Sequence, residues 1–198
     1  MPHPDALIWN ARYLSDDNQY LRRQPYSLVR SFVDQLPQGG LALEVAAGMS
    51  PVGLFLASKG LRVIAMDISE AGLRLAQQRA HTRSLPLNLV VMDLTDPWLP
   101  PSGFDVILNF YFLSRPLFIC YRQALKPGGW LFFETFVEDN LGRCNPAHTL
   151  DSGELYSTFQ NWDILYWKET WKKRRSGMFP PRRIAQLVAR KPYKERTL

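Results

Sequence analysis

The chain has 198 residues, of which 46% are hydrophobic and 21% charged, and this composition predicts one globular domain and excludes a disordered chain. The formal net charge is +6, but residues 168–198 hold 11 basic and 2 acidic side chains, so residues 1–167 carry a net charge of −3. A basic protein of this size would suggest a polyanionic partner, whereas this distribution limits that suggestion to the C-terminal end of the chain.

Several features favour a cytoplasmic location. Cys120 and Cys144 lack the spacing of a zinc site or a redox motif, so we expect unpaired thiols. The first ten residues have neither a basic start nor an apolar stretch, so no secretion signal is predicted. The most hydrophobic segment, 104–121, is broken by Asn, Ser, Arg and Pro, whereas a membrane span needs about 20 mostly apolar residues. We therefore expect a soluble cytoplasmic protein without membrane association, as a monomer or a homodimer.

Strands and helices are predicted to alternate through the first two thirds of the chain. Residues 41–46 form a short apolar strand, Ser50 and Pro51 suit the start of a helix, and Gly60 ends that helix. Further strands are predicted at 61–66, 87–92, 104–108 and 130–134, with helices at 52–59, 69–80 and 115–125. Such alternation predicts a parallel sheet with helices on both faces.

The pattern changes after Phe136. A long polar loop precedes two strands, at 162–167 and 184–189, with no helix between them, which predicts an antiparallel hairpin. The fold class is therefore α/β, a doubly wound, mostly parallel seven-stranded sheet with an antiparallel C-terminal edge hairpin. We expect one domain over 1–198, which comprises a helical cap (1–35), a core (36–136), a lid-like loop (137–161) and a basic C-terminal hairpin (162–198).

Polar side chains stand at the ends of the five early strands. They are Glu44, Asp67, Asp93, Asn109 and Glu134. Any one of them can equally well cap a following helix. In open α/β sheets, however, ligands bind beyond the carboxyl ends of the strands, so the repetition predicts a ligand site along this edge.

The turn after the first strand and the acid after the second indicate a nucleoside ligand. Asp67 follows Gly48 by 19 residues, close to the separation at which an acid binds ribose hydroxyls in dinucleotide-binding folds. The G-x-G-x-x-G fingerprint of those folds is absent, and Glu44 would repel a pyrophosphate. We therefore expect a nucleoside that carries a positively charged tail rather than phosphates.

These segments resemble the motifs of the class I S-adenosylmethionine-dependent methyltransferases, over residues 9–191. Segments 43–50, 63–69, 91–94 and 104–109 are similar to the first four motifs of the family, and Leu-Lys-Pro-Gly-Gly-Trp-Leu at 125–131 is similar to its turn before the fifth strand. Ala46 and Ser50 stand where the first motif has glycines. A narrower resemblance to the small TehB-like (tellurite-resistance-type) methyltransferases rests on segments 9–13, 112–118, 145–146 and 153–155, with Ser114 where relatives often have histidine.

The resemblance implies a Rossmann-like fold, S-adenosyl-L-methionine as the cofactor, S-adenosylhomocysteine as the product, and no metal. It implies that the backbone at Gly48 approaches the methionine end of the cofactor and that Glu44 faces the cofactor amine. Asp67 would hold the ribose and Asp93 would accept a hydrogen bond from the adenine amine. Further cofactor contacts are expected from Arg12, Tyr13, Ala46, Ile68, Leu94 and Asn109, although Arg12 is equally compatible with a solvated helix position.

Three residues are candidates for catalysis. Asn109 would present its backbone carbonyl near the cofactor amine and its side chain toward the acceptor. Tyr111 would either contribute to an aromatic wall around the sulfonium or act as a weak general base. Arg115 belongs to the segment 112–118 that carries the narrower resemblance. The segment 109–112 matches the motif of amino-group methyltransferases only in part, so amine-specific chemistry is disfavoured.

Three functions remain open at this point. Methyl transfer to a small-molecule acceptor by in-line displacement is favoured, because the body of the chain is compact and mildly acidic. An RNA methyltransferase is the second reading, in which Lys172–Arg175, Arg182 and Arg183 bind phosphates; a solvated hairpin with cationic edge positions is the simpler interpretation of those charges. A module that binds the cofactor without catalysis is the third, suggested by the missing glycines and by Ser114.

Overall fold

The computed structural model describes residues 3–15, 26–139, 145–172 and 181–193, and it contains a seven-stranded sheet. The strand order is β3-β2-β1-β4-β5-β7-β6, and β7 runs antiparallel to both of its neighbours. The remaining neighbouring pairs are parallel. The strands are Leu41–Val45 (β1), Arg62–Asp67 (β2), Leu87–Val91 (β3), Phe104–Phe110 (β4), Leu125–Phe136 (β5), Asp163–Lys172 (β6) and Arg182–Arg190 (β7).

Helices cover both faces of the sheet, because the buried strands carry apolar side chains on both sides. On one face, Leu43, Ile107 and Phe133 pack with Leu117 of α5. On the other face, Ala42 and Val106 belong to a second core cluster, which includes residues of α2 and α3. The helices are Pro4–Leu14 (α1), Ser27–Arg30 (α2), Pro51–Ala57 (α3), Glu70–Thr82 (α4), Pro116–Ala124 (α5) and Glu154–Phe159 (α6).

The predicted fold class is confirmed, including the antiparallel strands at the C-terminal side of the sheet. Two strand boundaries were wrong by several residues. The strand expected at 162–167 extends to Lys172, and the strand expected at 130–134 already begins at Leu125. The early start of β5 includes the glycine-containing segment after α5. The reason is long-range pairing, since the Gly128 N–H donates to the Lys191 carbonyl and the Lys191 N–H donates to the Gly129 carbonyl.

Strand order reverses between β1 and β4. From β1 the chain proceeds outward through β2 to β3, and it then crosses to β4 and continues outward through β5. The carboxyl ends of β1 and β4 therefore diverge into a crevice, which is where open α/β sheets bind their ligands. Within the described ranges, no helix is both long and apolar enough to cross a membrane.

Candidate functional site

A small cavity of about 40 Å³ opens at this crevice. Its walls come from the carboxyl end of β1, the turn that follows, and aromatic residues of other elements. The lining includes Tyr13, Tyr26, Glu44, Ala46, Met49 and Phe110. One space is therefore lined by three predicted cofactor residues: Glu44 within β1, Ala46 in the turn that follows, and Tyr13.

The turn after β1 has an unusual backbone. Ala46, Gly48 and Ser50 have φ angles of 49°, 53° and 48°, so all three lie in the left-handed region. This conformation is costly for residues with a Cβ atom, at about 1–2 kcal/mol each. The turn thus keeps a glycine-type backbone although two of the three positions are not glycine. Such strain persists where surrounding contacts impose it, and it is concentrated at functional sites.

Glu44 supplies much of that constraint. Its Oε2 accepts hydrogen bonds from Ser50 Oγ at 2.5 Å and from the Gly53 N–H at 2.7 Å. The side chain is only 4% exposed, and burial raises the pKa of Glu44 to about 7. Glu44 therefore ties the turn to the start of α3 while it also lines the cavity.

Asp67 links the turns after β1 and β2. Its Oδ2 accepts a hydrogen bond from the Gly48 N–H and its Oδ1 accepts one from the Ser69 N–H, both at 2.7 Å. Burial raises the pKa of Asp67 above its ordinary value. The predicted ribose-binding acid therefore lies directly against the glycine turn, although the two residues are 19 positions apart.

Helix α1 is held over this region by Asn10, a residue that was not among the predicted site residues. Asn10 Oδ1 accepts hydrogen bonds from Ser69 Oγ at 2.7 Å and from the Ala71 N–H at 3.0 Å, at the start of α4. Tyr13, one turn later, lies against Gly48 and Gly72, and a Cβ atom at either glycine would overlap it. A recognisable signal for this role is the position of Asn10 three residues before Tyr13, which places both on one face of a helix.

Arg12 lies elsewhere on α1. Its side chain is exposed, and its guanidinium stacks over the ring of Trp9 at 4.7 Å from the centroid. The described contacts thus show Arg12 on an aromatic face rather than in the cavity lining. Its role toward a cofactor carboxylate remains a prediction.

The expected adenine residues lie side by side at the ends of β2 and β3, because these strands pair in parallel. Asp93 Oδ1 accepts hydrogen bonds from Thr95, at 2.9 Å from its N–H and 2.8 Å from its hydroxyl, and these bonds lower the pKa of Asp93. Ile68 is half-buried and Leu94 is buried in the core. The arrangement agrees with the predicted neighbourhood, and the individual contacts to adenine stay predictions.

The side chain of Asn109 points into the core rather than toward the crevice. It is 1% exposed, and its Nδ2 donates a hydrogen bond to the Tyr121 hydroxyl of α5 at 3.0 Å. Among the described residues its Oδ1 has no hydrogen-bond partner. The structure therefore does not place this side chain toward an acceptor, and its backbone carbonyl remains the predicted contact.

Arg115 anchors a loop. Its Nε and Nη2 donate to the two carboxylate oxygens of Glu154 at 2.6 and 2.8 Å, and Nη2 also donates to the Thr149 carbonyl at 3.2 Å. The Glu154 hydrogen bonds raise the pKa of Arg115. These contacts fasten α5 to the described part of the predicted lid-like loop, and residues 140–144 of that loop lie outside the described residues.

Tyr111 belongs to a polar cluster that the sequence analysis did not assemble. Its hydroxyl donates to Glu134 Oε1 and accepts a hydrogen bond from Lys172 Nζ at 2.9 Å. Lys172 Nζ also lies 2.6 Å from Glu134 Oε1, and Gln186 Nε2 donates to Glu134 Oε2 at 2.6 Å. We refer to Tyr111, Glu134, Lys172 and Gln186 as the Glu134 cluster.

Several cations of the basic C-terminal hairpin are engaged within the protein. Arg183 pairs with Glu169 at 2.6 Å, and Arg182 stacks on the ring of Phe136 at 5.3 Å from the centroid. Lys172 belongs to the Glu134 cluster, whereas residues 173–175 of the predicted phosphate-binding run lie outside the described residues.

Comparison with known proteins identifies the domain. Residues 42–129 match a family model described as a methyltransferase domain. A provisionally named methyltransferase of Bacillus subtilis, YqeM, is 25% identical over 163 residues, which cover 75% of this chain and 66% of that protein. An S-adenosyl-L-methionine-dependent Diels-Alderase of Talaromyces variabilis is 29% identical over 103 residues, 48% of this chain and 35% of that protein.

The fold comparison agrees. The crystal structure of TehB from Haemophilus influenzae matches with a TM-score of 0.76 at 17% identity, over 87% of this chain and 64% of that one. Residues 42–129 thus match the sequence of a methyltransferase domain, and the chain has the fold of S-adenosylmethionine-dependent methyltransferases. The chain spans about two thirds of the length of YqeM and of TehB, and about a third of the Diels-Alderase.

S-adenosylmethionine is accordingly the cofactor of this domain, and the residues of the crevice suit it. Gly48 has the left-handed backbone and the missing Cβ atom that allow close approach, and Asp67 lies beside it. Aromatic faces of Tyr13, Tyr26 and Phe110 line the space in which a sulfonium would be attracted. The cavity is smaller than the sites that usually hold ligands of this size, about 300 Å³ or more, and Tyr13 lies against Gly48 in this structure.

Proposed function

We propose that this chain transfers the methyl group of S-adenosylmethionine to a small-molecule acceptor. The observation that carries the proposal is the turn at Ala46, Gly48 and Ser50, whose left-handed backbone is tied to Asp67 and opens on a cavity with aromatic walls. The bound cofactor supplies an electrophilic methyl group on a sulfonium leaving group.

The residues of the chain would act by binding and orientation. Asp67 would exchange a backbone hydrogen bond for the ribose hydroxyls, and Glu44 would favour the positively charged amino acid part of the cofactor. Tyr13 would cover the ligand after entry, since Asn10 fixes the helix from which it projects. Holding two reactants in line is itself a large source of rate enhancement, worth about 7–11 kcal/mol at best.

The charge distribution supports a small acceptor over RNA. Phosphate binding needs lysine and arginine side chains that are exposed to solvent and can contact the phosphates. In the described part of the C-terminal hairpin, Lys172 pairs with Glu134, and Arg183 pairs with Glu169. An RNA acceptor would have to compete with these acids.

Isothermal titration calorimetry with S-adenosylmethionine and S-adenosylhomocysteine tests cofactor binding. We expect both ligands to bind and Asp67→Ala to weaken binding at least about tenfold, because loss of one charge-assisted hydrogen bond costs about 1.5–3 kcal/mol. Asp163→Ala is the matched control, since this exposed residue begins β6 at the opposite end of the strand from the crevice. Absence of binding by the wild type, or equal binding by Asp67→Ala, would refute the proposal.

The acceptor class is tested separately with methyl-labelled cofactor. Label should appear in low-molecular-weight acceptors and not in a mixture of tRNA and rRNA. RNA labelling that falls steeply with salt would favour the second function instead.

A further inference from the structure

The Glu134 cluster is a buried acid with three polar partners at the crevice edge of the sheet. Glu134 is 1% exposed, and both carboxylate oxygens accept hydrogen bonds: Oε1 from Tyr111 and Lys172, Oε2 from Gln186. The negative charge of the carboxylate is compensated by Lys172, whose side chain is 42% exposed. Burying a carboxylate is costly unless it is paired in this way, so the cluster is a constructed feature rather than a chance surface contact.

The sheet register places this cluster beside the cofactor crevice. Glu134 lies opposite Phe110 at the end of β4 and opposite Gln186 on β7. Lys172 ends β6, which runs parallel to β5 because both are antiparallel to β7. The polar side chains of β5, β6 and β7 therefore lie at the same edge of the sheet as the turn after β1.

Aromatic rings connect the cavity to the cluster. Tyr26 and Phe110 line the cavity, and their rings stack at 4.3 Å between centroids. The ring of Tyr111 lies 5.6 Å from Tyr26 and 5.1 Å from Phe136. A flat acceptor that entered beside this wall would bring its reacting atom close to the Tyr111 hydroxyl.

The backbone also directs Tyr111. Its φ angle is 60°, in the left-handed region that aromatic residues rarely adopt, and its N–H donates to the Glu134 carbonyl at 2.7 Å. This strained geometry at the end of β4 supports a hydroxyl that is already aimed at the carboxylate. Strain of this kind is tolerated where the surrounding structure imposes it.

We propose that Tyr111 and Glu134 remove the proton from an aromatic hydroxyl acceptor during methyl transfer, with Lys172 as a positioning residue. This inference rests on the proposed function. The acceptor oxygen forms the new bond to the methyl carbon, and the carbon–sulfur bond breaks with its electron pair retained by sulfur. The acceptor proton passes to Tyr111 Oη, and the Tyr111 proton passes to Glu134 Oε1. The sulfonium charge is thereby neutralised, and the carboxylate becomes a neutral acid paired with Lys172.

The chemistry of the relay selects the acceptor class. Ordinary phenols have a pKa near 10, so the first proton transfer, from one phenol oxygen to another, is close to thermoneutral. The onward transfer to Glu134 becomes favourable as the methyl group bonds to the acceptor oxygen, because an oxygen that carries the methyl group holds its proton far more weakly than a carboxylate does. Aliphatic alcohols are much weaker acids, and carboxylates are already ionised and need no base. An aromatic hydroxyl also matches the rings of Tyr26, Phe110 and Phe136 in shape.

The test compares two acceptors that share a hydroxyaromatic ring, phenol and 4-nitrophenol, at about pH 8. Phenol is still protonated there, whereas 4-nitrophenol is ionised and needs no base. With phenol, Tyr111→Phe and Glu134→Gln should lower kcat/KM by about 100-fold or more, mainly through kcat. With 4-nitrophenol both variants should stay within about threefold of the wild type. Glu70→Gln, in an exposed pair with Arg74 on α4, is the matched control.

A pH profile provides a second readout. Without the relay, the variants depend on phenol that ionises in solution, so their rate should rise about tenfold per pH unit below the phenol pKa. The wild type should vary much less over the same range. Lys172→Met should give an intermediate profile, and Lys172→Arg should restore most of the wild-type rate.

Each outcome has a definite meaning. Equal losses on both acceptors would show a structural role for the cluster, and unchanged rates would show no role; either result overturns the inference. If the wild type binds S-adenosylmethionine but methylates neither phenol nor larger hydroxyaromatic compounds, the acceptor class is wrong while the methyltransferase proposal stands. If the cofactor itself does not bind, the proposed function fails first.

Discussion

The left-handed turn after β1 leads to opposite predictions for two similar substitutions. Ala46 and Ser50 have φ angles of 49° and 48°, so replacing either by glycine relieves about 1–2 kcal/mol of backbone strain. Glycine also adds freedom to the unfolded chain, which costs about 0.4–1 kcal/mol. We therefore expect Ala46→Gly to stabilise the protein by about 0.5–1 kcal/mol and to raise Tm by about 1–4 °C.

Ser50→Gly relieves the same backbone strain but also removes a buried hydrogen bond. Ser50 Oγ donates to Glu44 Oε2 at 2.5 Å, and a bond to a charged group is worth about 1.5–3 kcal/mol. This variant should therefore be less stable than the wild type by about 1–2 kcal/mol. Urea unfolding at about pH 8, with the slope of each transition compared, measures both values. A shift of the two variants in the same direction would refute the strain argument.

Three further predictions concern the supports of the site. Burial raises the pKa of Glu44 to about 7 from 4.5, so the folded state binds the Glu44 proton more tightly than the unfolded state does. The resulting stabilisation, about 3 kcal/mol, is complete below about pH 4.5 and is lost as the pH rises through 7. Urea unfolding should therefore show a flatter pH dependence of stability for Glu44→Gln than for the wild type. In a double-mutant cycle, Arg115→Met and Glu154→Gln should show a coupling of about 0.5–1 kcal/mol in the free energy of unfolding. Cofactor affinity should stay unchanged in these variants, and a large loss of affinity would instead support a role of Arg115 at the site. Asn10→Ala should cost about 1–2 kcal/mol, because it removes the acceptor for Ser69 Oγ, and should expose α1 to proteolysis; equal protease resistance would contradict the anchoring role.

The fold was predictable because its signals are local. Short apolar runs, the helix starts at Ser50 and Ser69, and the break at Gly60 are each visible within a few positions of the sequence. Ser69 caps α4 as its type predicts, whereas the Ser50 side chain makes no cap hydrogen bond and donates to Glu44 instead. Parallel strands bring their carboxyl ends to one edge of the sheet, so the proximity of Glu44, Gly48 and Asp67 could be predicted from the sequence. The start of β5 was missed because it depends on pairing with Lys191, more than 60 residues away.

Side-chain direction was less predictable than position. Asn109 lies at the expected strand end, but its side chain is on the face covered by α5 and donates a hydrogen bond to Tyr121. A strand places successive side chains on opposite faces, and a continuous apolar strand gives no sign of which face is which. Arg115 belongs to a recognisable motif, but its pairing with Glu154 could not be predicted, because Glu154 lies 39 residues further along the chain.

The net charge shows most clearly the difference between what the sequence predicts and what the tertiary structure adds. The α/β class and the concentration of positive charge in residues 168–198 follow from the sequence alone, and so does the prediction of a ligand site at the carboxyl edge of the sheet. Only the tertiary structure showed that Lys172, within that basic segment, neutralises Glu134 and contacts Tyr111 across 38 and 61 residues. Composition counts charges, but the energy of a charge depends on burial and on partners within a few ångströms, and those are set when distant strands pair.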